Sequence, residues 1–67
     1  MVLVCKGKID DEGYAREVRA KLNKMRVCYA IKKDKFEVIY NNGDPGTARH
    51  IIELFDGFVE HEIFYQK

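Results

Sequence analysis

Sixty-seven residues carrying twelve Lys/Arg and eleven Asp/Glu, for a formal net charge of +1, amount to one domain at most, and a chain of this size buries only about 60% of its unfolded surface. The two cysteines, Cys5 and Cys28, form neither a disulfide framework nor a CxxC metal knuckle, so free thiols in a reducing cytoplasm are the default. No apolar run approaches the roughly 20 residues of a membrane span, "MVLVCKGK" lacks the apolar core and cleavage site of a signal peptide, and the absence of serine removes every serine-nucleophile mechanism.

"VLVCK" (Val2 to Lys6) is a short β-branched run ended by Gly7 and reads as a first strand. "IDDEGYAREVRAKLNKM" then changes period: Tyr14, Val18, Leu22 and Met25 recur at helical spacing, with Arg16, Glu17, Arg19 and Lys24 directed towards water. Asp10 or Asp11 supplies the N-cap, and Lys21, Lys24 and Arg26 crowd the end that the helix dipole makes negative. Gly13 weakens the first turn.

"RVCYAI" and "KFEVIYN" alternate with period two, placing Val27, Tyr29 and Ile31 on one face of the first and Phe36, Val38 and Tyr40 on one face of the second. The short connection at Lys33-Asp34 makes them an antiparallel hairpin. "NNGDPGT" is the strongest turn signal in the chain, and it opens a second helix with Asp44 as N-cap and Pro45 at the first helical position. Ala48, Ile51, Ile52 and Phe55 form that helix's buried stripe, and Asp56-Gly57 closes it. "FVEHEIFYQ" reads as the last strand, with Val59, His61, Ile63 and Tyr65 on one side and Glu60, Glu62 and Phe64 on the other.

The order β-α-β-β-α-β, with right-handed crossovers, predicts a ferredoxin-like α+β sandwich: a four-stranded antiparallel sheet with both helices on one face. Through Lys35 there are ten Lys/Arg against five Asp/Glu, and beyond it two against six. The chain is therefore basic in its first half and acidic in its second. The scarcity of Ser, Thr and Gln beside abundant Lys and Glu leans towards a thermophilic source.

In element order the chain resembles the RNA-recognition domains, whose third strand reads Lys/Arg, Gly, aromatic, Gly/Ala, aromatic, aliphatic, any, aromatic. Laid on "KDKFEVIY", Lys33, Val38 and Tyr40 fill the first, sixth and eighth places. Lys35 and Glu37 stand where the two base-stacking aromatics belong, and Leu3 stands where the first strand would supply another. A carboxylate in a stacking place removes a π-face and repels phosphate. The resemblance implies the fold and core packing, without the surface that reads bases.

The helix-free face of the sheet is the better functional candidate. Pointing Phe36, Val38 and Tyr40 inward turns Glu37, Ile39 and Asn41 outward, beside Cys28, Ala30, Phe64 and either Leu3/Cys5 or Val2/Val4. With Leu3, Cys28, Ala30, Ile39 and Phe64 as anchors, rimmed by Lys35, Glu37, Glu60 and Glu62, this is an apolar patch of the kind that marks a protein interface. The expectation is a non-enzymatic interaction module, self-associating as a homodimer or docking a protein partner, since a self-complementary dimer is the simplest symmetric outcome. The alternative is nucleic-acid binding through phosphate contacts from Arg16, Arg19, Lys21, Lys24 and Lys35.

Other chemistry is weakly encoded. His50 lies beside the buried stripe of the second helix and His61 alternates with Val59 and Ile63, so both read as structural. "EHE" at Glu60 to Glu62 cannot converge on one ion in a strand, because His61 points away from both glutamates. Cys5 and Cys28 sit in apolar strands and read as inert packing, with the third strand expected between them. Asp44 occupies the cap at which "NNGDPG" would otherwise cradle an anion. No catalytic group, metal or cofactor is expected.

Overall fold

The computed structural model describes residues 2–41 and 43–67; Met1, and Asn42 of the expected "NNGDPGT" turn, lie outside the described residues. The elements are β1 (Val2–Lys8), α1 (Glu12–Lys24), β2 (Tyr29–Lys32), β3 (Lys35–Tyr40), α2 (Pro45–Asp56) and β4 (His61–Gln66). The strands form one antiparallel sheet in the order β2-β3-β1-β4, which is the ferredoxin-like α+β arrangement that the element order implies. Among the described residues no helix is long and apolar enough to cross a membrane.

The local signals act as their chemistry demands. Asp11 caps α1, its Oδ1 accepting from the backbone N–H of Gly13 at 2.9 Å and of Tyr14 at 3.2 Å. Asp44 caps α2, with Oδ1 accepting from Gly46 N–H at 3.2 Å and Oδ2 from the Thr47 hydroxyl at 2.8 Å. The hairpin pairs Lys32 with Lys35 across a two-residue turn, and Lys33 enters it at φ 58°. At the end of α1, Arg26 adopts φ 59°, its N–H donating to Asn23 O and that of Val27 to Leu22 O, each at 3.0 Å. These are the two bonds of a Schellman motif, which ordinarily places glycine at the left-handed position. Leu22 and Val27, its apolar pair, are both buried.

The core lies between the sheet and the helices: Leu3, Cys5, Phe36 and Val38 from the sheet, Ala15, Val18 and Leu22 from α1, Ile51, Leu54 and Phe55 from α2, and Phe58 beyond α2. Ala15 and Leu54 extend the helical stripes expected from periodicity. The Tyr14 hydroxyl donates to Leu54 O, tying α1 to α2.

Three strand boundaries differ from expectation: β2 starts at Tyr29 rather than within "RVC", because Arg26 and Val27 close α1, and the other two share one reason. Gly7 does not end β1, which continues to Lys8, and Phe58 and Val59 do not begin β4, which starts at His61. Phe58 turns inward at 3% exposure and lays its ring on the core side of Gly7, where an added Cβ would stand 2.8 Å from Phe58 Cγ. The ring also meets Tyr14 edge-on at 5.1 Å and approaches Phe55 at 5.5 Å. Gly7 is thus a seat for an aromatic ring within the strand, a known use of strand glycine. Val59, at the bend this produces, is 80% exposed rather than facing with Ile63.

Candidate functional site

The ladder register organises the open face into cross-strand rows. Val4 of β1 is paired with Ile39 on one side and Phe64 on the other. Continuing the β2–β3 register by one residue beyond Tyr29↔Val38 sets Cys28 beside Ile39, and the two border a shared shallow depression with Ala30 and Glu37. An apolar row, Cys28, Ile39, Val4, Phe64, therefore crosses the whole sheet. Ile39 is 61% exposed and Phe64 38%, whereas Val4 between them is 4% exposed.

The anchor Leu3 requires correction. It is buried in the helix-side core beside Tyr40 and Tyr65, and Val4 takes its place on the open face. The alternation in β1 decides this: Leu3, Cys5 and Gly7 share one side, and Val2, Val4, Lys6 and Lys8 share the other. The signal was legible, since neither Lys6 nor Lys8 can face a core without a partner for its charge.

The next row holds Ala30, Glu37, Lys6 and Glu62, with Lys6 Nζ 3.9 Å from Glu37 Oε2. Beyond it stand Lys32, Lys35 and Lys8, followed by Glu60, whose carbonyl accepts from Lys8 N–H and whose carboxylate lies 3.9 Å from Lys8 Nζ. Like charges directly opposite each other destabilise a sheet. Lys32 and Lys35 make no ion pair among the described residues, so this end of the face is basic on the β2–β3 side and acidic towards β4.

The five basic residues expected to contact nucleic acid do not share a surface. Lys35 belongs to the open face, whereas Arg16, Arg19, Lys21 and Lys24 are exposed on α1, in the layer behind the sheet. Lys21 lies 3.3 Å from Glu17 and, with Lys24, His50 and Glu53, borders a groove floored by Tyr14, Met25 and Leu54. Arg19 lines the opposite flank of α1, near Ile31 and Lys33.

The remaining reactive side chains separate cleanly. Cys5 is fully buried, and burial pushes its thiol up to about 11. Cys28 is exposed rather than packed, because it stands on the helix-free side at the edge of the sheet, beside Ala30 and Ile39. The two lie on opposite faces, with β3 between their strands. His61 Nδ1 meets Phe58 O at 2.8 Å and its Nε2 lies 3.3 Å from Asp56 Oδ1, so His61 braces the Phe58 bend and points away from Glu60. His50 is exposed on α2. Among the described residues no three His, Cys, Asp or Glu side chains gather to hold a metal ion.

Fold and site together define a small ferredoxin-like domain with a bare, apolar-centred sheet face. No known protein family matches the chain, and no curated protein or solved structure is significantly similar to it.

Proposed function

We propose that this protein is a non-enzymatic cytoplasmic interaction module that docks a protein, either a second copy of itself or another chain, on the open face of its sheet. The observation that carries the reading is the apolar row Cys28, Ile39, Val4 and Phe64, which crosses the sheet and leaves Ile39 61% and Phe64 38% exposed on either side of a buried Val4. Its mixed charged border matches the polar rim that surrounds the apolar centre of protein interfaces. A chain this small also has reason to gain stability by association.

Size-exclusion chromatography with light scattering tests the self-associating form. A mass that rises with concentration, and that Ile39→Lys returns to the monomer value, supports it; a strict monomer at high concentration with no change on Ile39→Lys removes it. The lysine row Lys32, Lys35, Lys8 is the one feature of this face that suits a phosphate chain instead. Nucleic-acid binding would then appear as salt-sensitive retention of RNA or DNA, weakened by Lys35→Glu, and no retention at low salt ends that alternative.

A further inference from the structure

We infer that the occupant of the open face is a second copy of this chain, related by a two-fold axis lying in the interface parallel to the strands, midway between β3 and β1. The inference rests on the reading of that face as a protein-docking surface and adds the partner and its orientation. Such an axis lays β3 on the partner's β1 and β2 on the partner's β4, and keeps every cross-strand row at its own level. In the apolar row, Cys28 meets the partner's Phe64, and Ile39 comes to lie above the partner's Val4, which is only 4% exposed, so Ile39, Phe64 and Cys28 supply the apolar contact.

The charges select this arrangement. Glu37 and Lys6 already stand side by side within one protomer. The two-fold sets Glu37 over the partner's Lys6 and Lys6 over the partner's Glu37, so each charge has opposite charge beside it and above it. In the last row Lys32, without an ion pair among the described residues, meets the partner's Glu60. The basic β2 side thereby finds the acidic β4 side. Lys35 with the partner's Lys8, made twice by the symmetry, is the one kind of like-charged encounter, at the end of the face where long side chains reach water.

The other in-plane axis, perpendicular to the strands through the apolar row, serves the charges worse. It places Glu37 over the partner's Asn41 and Lys6 over the partner's Val2, and carries the lysine row past the apolar centre with no carboxylate to meet. Four strands spaced about 4.8 Å apart and roughly six residues long offer a face of about 20 Å by 20 Å. That suits an aligned sheet-on-sheet packing of about 800 Å² in total over the two copies, the size of a weak, concentration-dependent association.

Sedimentation equilibrium of Lys32→Glu, Glu60→Lys and their equimolar mixture tests the arrangement, with circular dichroism to confirm that each variant folds. Each single variant sets two like-charged encounters in its own dimer and should weaken self-association about tenfold. The mixture should recover near wild-type affinity. In its heterodimer the glutamate introduced at position 32 of one chain faces the lysine introduced at position 60 of the other, while the unaltered Lys32 and Glu60 face each other. Lys35→Glu should strengthen the dimer about fivefold by pairing with the partner's Lys8. An acidic foreign partner or a phosphate chain would instead be lost on that substitution.

A wild-type protein that stays monomeric at millimolar concentration overturns the second copy as occupant. If Ile39→Lys abolishes self-association but the mixture is no stronger than its parts, the face stands and the two-fold is wrong. Self-association that survives Ile39→Lys unchanged overturns the reading of the face itself.

Discussion

Phe58 packs against Gly7, with its ring where any larger side chain at position 7 would have to be. The contact lets β1 run past its glycine, bends the chain ahead of β4, and adds Phe58 to a cluster with Tyr14, Phe36 and Phe55.

Gly7→Ala should therefore be costly despite the general advantage of alanine over glycine. Displacing Phe58 overpacks the core, with an expected loss of about 1–3 kcal/mol in urea denaturation. Phe58→Ala alone should cost about 3–5 kcal/mol through the cavity it leaves. In the double variant the new methyl enters vacated space, so the two losses should combine to clearly less than their sum; strict additivity would mean that the ring does not rest on Gly7.

Arg26→Gly should stabilise the protein. Arg26 holds φ 59° in the Schellman turn after α1, where a side chain costs about 1 kcal/mol that glycine avoids. The gain should appear as a higher denaturation midpoint with an unchanged slope. Lys33→Gly, at φ 58° in the hairpin turn, should do the same independently, since the two turns share no bond given by the structure.

The thiols should differ in kind. A disulfide-exchange reagent at pH 8 should label Cys28 promptly and Cys5 only on unfolding, because the thiolate is the reacting species and burial holds the Cys5 thiol protonated. The same shift predicts an alkaline loss of stability. The folded state raises the Cys5 pKa from 9.0 to about 11, so its contribution is complete below pH 9 and disappears as pH rises through 11. Cys5→Ala should be less stable at pH 7 but show a shallower decline over that window, and parallel declines in both proteins would contradict the assignment.

Tyr14→Phe removes the hydroxyl that joins α1 to the Leu54 carbonyl of α2. The expected cost is about 1 kcal/mol, the net worth of one such bond, with faster amide exchange around the end of α2. A silent substitution would leave apolar packing as the whole of the contact between Tyr14 and α2.

The element order, both capping aspartates, the Lys33-Asp34 hairpin and the outward turn of Glu37 and Ile39 were legible in the chain, because turns, caps and periodicity are encoded by residues a few positions apart. The phase of β1 was also written there, in Lys6 and Lys8, although Leu3 draws attention first as the larger apolar residue. Gly7 and Phe58 misled in a different way: a glycine after a run of strand residues reads as a stop, and a phenylalanine before Val59 reads as a start. Only their mutual contact, between opposite ends of the chain, reverses both readings.

By itself, then, the sequence determined which side chains of a strand share a side, since a period of two is a local property of the backbone. Tertiary structure alone decided which of them become neighbours. Cys28, Ile39, Val4 and Phe64 form one row only because β1 lies between β3 and β4 in a particular register, with Leu3 buried on the opposite, helix-covered face. The same non-local pairing separates Lys35 from the basic residues of α1 and sets it instead beside Lys8 and Lys32.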